Sequence, residues 1–196
     1  MTITGLILAG GRSTRMGEID KGLQAVDDMP MVRHVLTRLA PQVDRLIISA
    51  NRNLPNYQSL GVPVWPDDMP GFAGPLAGFQ TGLLHCDTTY LVSVPCDSPF
   101  LPTYLVEKLL TMLTAADADL AFAVTGAGAA RRLQPVFCLM KASLLPDLTQ
   151  FLQQGGRKVD AWYKTLNTVE VHFSNESAFC NINTPEDLQR LNTRPI

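Results

Sequence analysis

The strongest constraint on the fold is an alternation of two periods. Strand candidates recur at residues 2–9, 45–50, 62–65, 90–94, 120–125, 135–140 and 168–173, and several of them are apolar almost throughout. Between them, residues 32–39, 76–84, 104–115, 143–153 and 159–166 space their apolar side chains as a helix with one buried face does. A strand that is apolar on both faces needs cover on both, and parallel neighbours need a crossover between them. The alternation therefore predicts an α/β fold of three layers, with a mainly parallel sheet between helices. The runs at 120–125 and 135–140 are joined by "GAGAARRLQ", which carries no helical pattern. A hairpin or a long excursion is expected there, and with it a mixed sheet. Thr184, followed by Pro185, Glu186 and Asp187, has the chemistry of a helix start and predicts a last helix through Leu191. No repeat, low-complexity tract or linker interrupts residues 1–196, so a single domain is expected.

Composition limits the partners. The 196 residues carry a net charge of −2, which supplies no overall basic field for nucleic acid or an anionic membrane. An anionic substrate must then be held by local charge. No apolar run reaches the roughly 18 residues of a membrane helix, and residues 1–11 lack the basic start of a signal segment. A cytoplasmic protein is the expectation. Cys86, Cys96, Cys138 and Cys180 form no C-x-x-C pair and read as reduced, buried apolar side chains. His34, His85 and His172 are equally scattered and suggest no zinc site.

Ligands of open α/β sheets sit beyond the carboxyl ends of the strands. Three unusual stretches fall at such ends: "LAGGRSTRMG" after the first strand, "SANRN" after the second and "VPCDSPF" after the fourth. In the first, Gly10 and Gly11 permit a bend whose successive N–H groups face an anion, with Arg15 and Lys21 as fixed positive charge. The other reading of that loop is a tight strand-to-helix turn with solvated arginines. It is neither a Walker A loop nor a G-x-G-x-x-G fingerprint. Asp97 closes a buried strand between Pro95 and Pro99. Facing a phosphate loop it requires a cation between the anions, which Mg²⁺ supplies; otherwise it caps the helix that begins near Pro102. Asp67, in "WPDDMPG", accepts hydrogen bonds from a ligand or organises a turn. "GFAGPLAG", residues 71–78, is a second glycine-rich helix start suited to an anion. Asn181 and Asn183 alternate on an extended segment, so they share a face that holds metal or phosphate, unless Asn183 is only turn chemistry.

Taken together, these residues resemble the molybdenum cofactor guanylyltransferase family, within the wider group of Rossmann-like nucleotidyltransferases. The resemblance is carried by "LILAGGRSTRMGEIDKGL" (6–23), "ANR" (50–52), "GPLAG" (74–78), "PCDSPFLP" (95–102) and "NINTPEDL" (181–188), in family order along the whole chain. It implies an enzyme with a three-layer Rossmann-like nucleotidyltransferase fold. The implied reaction is Mg²⁺-dependent transfer of GMP from GTP to the terminal phosphate of molybdopterin, releasing pyrophosphate. By motif, Leu8, Ala9, Gly10 and Gly11 line the nucleotide, and Lys21 meets its phosphates. Asp67 contacts guanosine, while Asp97 binds Mg²⁺ and touches the nucleotide. Arg15, Gly17, Asn181 and Asn183 fall to the pterin and the reacting centre, with Arg15, Lys21 and Asp97 as the catalytic set. The implied partners are GTP, the pterin cofactor and the proteins that make and accept it, and a monomer is expected. One departure stands out: the second strand ends in "SAN" where the family commonly has "NAN". Either Ser49 makes a shorter nucleotide contact, or Asn51 carries more of the base recognition. The rival readings are cytidylyl transfer to the same pterin, transfer to a sugar 1-phosphate, and a nucleotide-binding module without catalysis.

Overall fold

A computed structural model describes residues 1–9, 20–68 and 74–182. Gly10, Gly11, Arg15, Gly17, Asn183 and the expected last helix lie outside the described residues. The described chain runs through β1 (Ile3–Leu8), the short pair β2 (Ala25–Val26) and β3 (Met29–Pro30), α1 (Met31–Leu39), β4 (Arg45–Ser49), α2 (Leu54–Gln58), β5 (Val64–Trp65), α3 (Pro75–Leu84) and β6 (Tyr90–Pro95). It continues through α4 (Leu105–Ala115), β7 (Leu120–Thr125), β8 (Arg132–Lys141), α5 (Leu145–Gln153), α6 (Val159–Tyr163) and β9 (Thr168–Phe173).

The main sheet has the order β5-β4-β1-β6-β8-β7-β9. β4, β1 and β6 run parallel, as do β5 with β4 and β9 with β7, whereas β8 is antiparallel to both of its neighbours. The expected mixed, mainly parallel sheet is therefore present, and "GAGAARRLQ" forms a hairpin rather than an excursion. Alternate residues of each strand point to opposite faces. Ile3, Ile7, Val92 and Val94 pack against α1 and α4, while Leu6, Leu91, Leu120 and Phe122 pack against α3, α5 and α6. That double cover explains why the central strands read as apolar almost throughout, whereas the edge strand β9 exposes Glu170 and His172.

The departures from expectation have local causes. The strand expected at 135–140 begins three residues earlier, and its register with β7 shifts between Phe122 and Ala123. Pro135 lies in the part of β8 skipped by that shift, where its missing N–H costs no ladder bond. The β2–β3 turn places Asp27 and Asp28 at φ 48° and 62°, the paired left-handed geometry of a tight hairpin. Helix α2 is too short to show a periodic pattern. Cys96 and Cys138 are buried as expected, but Cys180 is exposed. No helix among the described residues is long and apolar enough to cross a membrane.

Candidate functional site

Three parallel strands end together. Leu8 of β1 lies beside Ser49 of β4 and Pro95 of β6. Just past the ends, the Ala9 N–H donates to the Ser49 carbonyl at 2.7 Å, and the Cys96 N–H donates to the Leu8 carbonyl at 3.0 Å. The carboxyl-terminal edge therefore presents Ala9, Ala50 and Asp97 as neighbours, although they come from distant parts of the chain. Gly78 lets α3 approach this edge. A Cβ at that position would collide with Leu8 Cδ2 and crowd the Ser49 hydroxyl at 3.3 Å. The glycine of "GPLAG" is thus explained by close helix–sheet packing.

Asp97 is 9% exposed. Burial raises its carboxyl above the ordinary range, while the Lys21 ammonium and a backbone hydrogen bond pull partly the other way. The Lys21 Nζ lies 3.8 Å from Asp97 Oδ2, so the two charges predicted at this edge do meet. The carboxylate is costly to ionise in the fold as it stands, and added positive charge at this place would lower that cost. The segment from Cys180 to Ile182 closes over the same turn. The Ile182 N–H donates to the Asp97 carbonyl at 3.0 Å, and the Ser98 hydroxyl donates to Asn181 Oδ1 at 2.8 Å. Asn181 is exposed beside the aspartate turn although 83 positions separate it from Ser98.

A second corner lies at the ends of β4 and β5. Ser49, 1% exposed, donates its hydroxyl to Asp67 Oδ1 at 2.8 Å. Asn51 Nδ2 donates to Asp67 Oδ2 at 2.7 Å, and the Asp67 N–H donates to Asn51 Oδ1 at 2.8 Å. Both polar side chains of "SAN" are therefore turned towards one carboxylate and fix its plane. Each carboxylate oxygen retains a lone pair for a further donor. Asp67 itself is half-buried.

Lys21 opens a short 3₁₀ turn, Lys21–Leu23, whose N-cap is Asp20. Asp20 Oδ1 accepts from the Gly22 N–H at 3.2 Å and from the Tyr57 hydroxyl at 2.6 Å, while Oδ2 accepts from Asn53 Nδ2 at 3.0 Å. Asp20, Asn53 and Tyr57 are not among the site residues expected from the sequence. Asp20 stands near the end of the quoted stretch 6–23 and carries a signal, an acid before a glycine turn. Asn53 and Tyr57 carry none, because α2 is not visible as a periodic pattern. Of the other named residues, Leu8 is half-buried against α3, and Ala9 is buried.

The MobA-like NTP transferase domain matches residues 5–169 of the chain. Molybdenum cofactor guanylyltransferase from Bordetella petrii is 57% identical over 189 residues, 96% of each chain. The protein of the same description from Ralstonia nicotianae is 54% identical over 197 residues, covering 98% of this chain and 97% of its own. Among solved structures, molybdopterin-guanine dinucleotide biosynthesis protein A from Archaeoglobus fulgidus superposes with a TM-score of 0.75 over 95% of both chains at 23% identity, a likeness of fold. With two such relatives matched nearly end to end, the chain belongs to the molybdenum cofactor guanylyltransferases, nucleotidyltransferase enzymes within the MobA-like family.

Proposed function

We propose that this chain transfers GMP from GTP to the terminal phosphate of molybdopterin, giving the guanine dinucleotide cofactor and pyrophosphate. The observation that carries the reading is the meeting of Lys21 and Asp97, 3.8 Å apart, where β1 and β6 end side by side. It is supported by the relatives above, whose name states guanylyl transfer to the molybdenum cofactor.

Asp67 reads the base. The Watson–Crick edge of guanine presents N1–H and the 2-amino group side by side, and a carboxylate held in one plane accepts both. Ser49 and Asn51 hold that plane. Lys21 meets the triphosphate and offsets its charge. Among the described residues no group of three or more His, Cys, Asp or Glu side chains is placed to hold a metal. Asp97 nonetheless suits Mg²⁺, which takes one or two protein carboxylates and completes its shell with substrate phosphates and water. A desolvated carboxylate with raised proton affinity is a fitting partner for such a cation. When bound there, Mg²⁺ shields the phosphate charge and makes the α-phosphorus more electrophilic.

The terminal phosphate of the pterin is a monoester, already largely ionised near neutral pH, so no general base is needed. One of its oxygens forms a bond to the α-phosphorus, the bond from that phosphorus to the bridging oxygen breaks, and pyrophosphate leaves with the electron pair. The work left to the protein is alignment and charge balance. Asn181, exposed beside the Asp97 turn, faces the acceptor side, and the reading extends to Arg15, Gly17 and Asn183. It also sets the reaction in the cytoplasm, between proteins that supply the pterin and proteins that take up the dinucleotide.

The test is a panel of GTP, ATP, CTP and UTP with molybdopterin and Mg²⁺, read as pyrophosphate release and as dinucleotide mass. Turnover with GTP alone is expected. Preference for CTP would overturn the base assignment, and GTP binding without pyrophosphate would overturn the enzymatic reading.

A further inference from the structure

We infer that Asp20, Tyr57 and Asn53 form a positioning unit that sets the ammonium of Lys21 against Asp97. The inference rests on the reading of Lys21 as a ligand of the nucleotide phosphates. Lys21 stands on a single 3₁₀ turn, and one short turn has too few internal bonds to hold a long side chain in register. Support comes from outside it. The Asp20 carboxylate receives a donor from its own turn, Gly22 N–H, and two from the β4–α2 segment, the Tyr57 hydroxyl and the Asn53 amide.

Each partner is placed for this task. Tyr57 is fully buried, and burial, with the nearby Cys96 and Asp20, keeps its hydroxyl protonated far above the ordinary phenol range. It therefore remains a donor at every working pH. Asn53 stands in the left-handed region at φ 49° and opens α2, the helix that carries Tyr57. The fit is close on the other side too. A Cβ on Gly22 would lie 2.6 Å from the Tyr57 hydroxyl oxygen and 3.0 Å from Cys96 Sγ. The lysine turn is therefore wedged between the tyrosine and the residue preceding Asp97. Three donors also quench a negative charge that would otherwise repel a triphosphate arriving beside it.

The same segment serves the other end of the site. Ser49 and Asn51 hold Asp67, and Asn53 and Tyr57 hold Asp20. Residues 49–57 thus tie the base-reading carboxylate to the phosphate-binding lysine with one stretch of backbone. A buried tyrosine acting only as core filling would cost the same on truncation whether or not Lys21 is present.

A double-mutant cycle separates the two roles. Tyr57→Phe and Asn53→Gly are each made in the wild-type chain and in Lys21→Ala; glycine keeps the backbone at position 53 free of strain. The readouts are kcat/KM for GTP in dinucleotide synthesis and GTP affinity by calorimetry. In the wild-type background each substitution is expected to cost about tenfold, as for one hydrogen bond to a charged group. In the Lys21→Ala background the same substitutions are expected to cost under about twofold, because the group they position is gone. Equal losses in both backgrounds, or no loss in the wild type, would overturn the inference while leaving the role of Lys21 intact. If Lys21→Ala alone leaves affinity and kcat/KM unchanged, the lysine reading fails and the inference falls with it. Asn53 is on the surface side of the network, so its variant decides the matter should Tyr57→Phe fold poorly.

Discussion

Replacing Asp67 by asparagine should turn a guanine reader into a xanthine reader. The substitution exchanges one acceptor oxygen for an amide donor and leaves the shape nearly unchanged. The surrounding bonds decide which atom changes. Asn51 cannot rotate its amide, because its Oδ1 is held by the Asp67 N–H at 2.8 Å while its Nδ2 donates to Oδ2 at 2.7 Å. The new amide oxygen must therefore face Asn51, and the new amide nitrogen takes the place of Oδ1. Ser49 tolerates this, since a hydroxyl donating at 2.8 Å can turn and accept instead. With the base oriented so that its 2-amino group meets Oδ1 and its N1–H meets Oδ2, guanine then finds a donor where it needs an acceptor, whereas the 2-carbonyl of xanthine meets the donor it needs. A hydrogen bond to a charged group is worth about 1.5–3 kcal/mol. Asp67 is half-buried, so water recovers part of that and about 2 kcal/mol is expected, roughly a 30-fold loss of GTP affinity. Calorimetry with GTP, XTP and ITP on both proteins measures it. The wild type should prefer GTP to ITP, which lacks the 2-amino group; Asp67→Asn should prefer XTP to both. An unchanged ratio of GTP to XTP in the variant would refute the placement of the base on Asp67.

Three further expectations follow from the charges and the packing. Asp97→Asn should lower turnover, read as pyrophosphate release, by roughly 10²–10³-fold, as loss of one electrostatic group at a reacting centre does. Burial raises the Asp97 carboxyl, so the fold gains from the protonated form and loses that gain as pH climbs from the unfolded value, about 3.9, through the raised folded value. Asparagine has no such loss, so the melting temperature of the variant relative to wild type should rise as pH climbs from about 4; a gap independent of pH would contradict it. Gly22→Ala pushes a Cβ within 2.6 Å of the Tyr57 hydroxyl, and overpacking of this kind costs about 1–3 kcal/mol. Its urea midpoint should fall and its GTP affinity with it, whereas a wild-type midpoint would show that the lysine turn has room to spare.

The parts that could be read from the chain alone were those written in local burial. β7 occupies the residues its apolar run marked, because a strand covered on both faces leaves no polar alternate positions; β9, at the sheet edge, also occupies its expected residues, but its exposed Glu170 and His172 alternate with buried Val171 and Phe173. Asp97 and Asp67 were recognisable as carboxylates where apolar runs stop. β8 was foreseen too short, since its exposed first residues and Pro135 do not read as a covered strand. For Ser49 and Asn51 the sequence offers two ligand contacts, and the tertiary structure adds a third use, holding Asp67. Tyr57 gave no sign, because an aromatic residue in a five-residue helix is indistinguishable from ordinary core until its hydroxyl has a partner.

Periodicity and turn chemistry were thus enough to specify a layered α/β fold, the quoted motifs pointed to the nucleotidyltransferase family, and together they marked the carboxylates and the lysine that the structure brings to the ends of the parallel strands. These signals act over a few neighbouring residues, which is the range over which a strand or helix pattern forms. Which side chains touch was decided by the order and register of the sheet, with β1 between β4 and β6 and β8 inserted antiparallel. Hydrogen bonds between residues such as Ser98 and Asn181, 83 positions apart, exist only once that register is set, because no local pattern encodes a distance across strands.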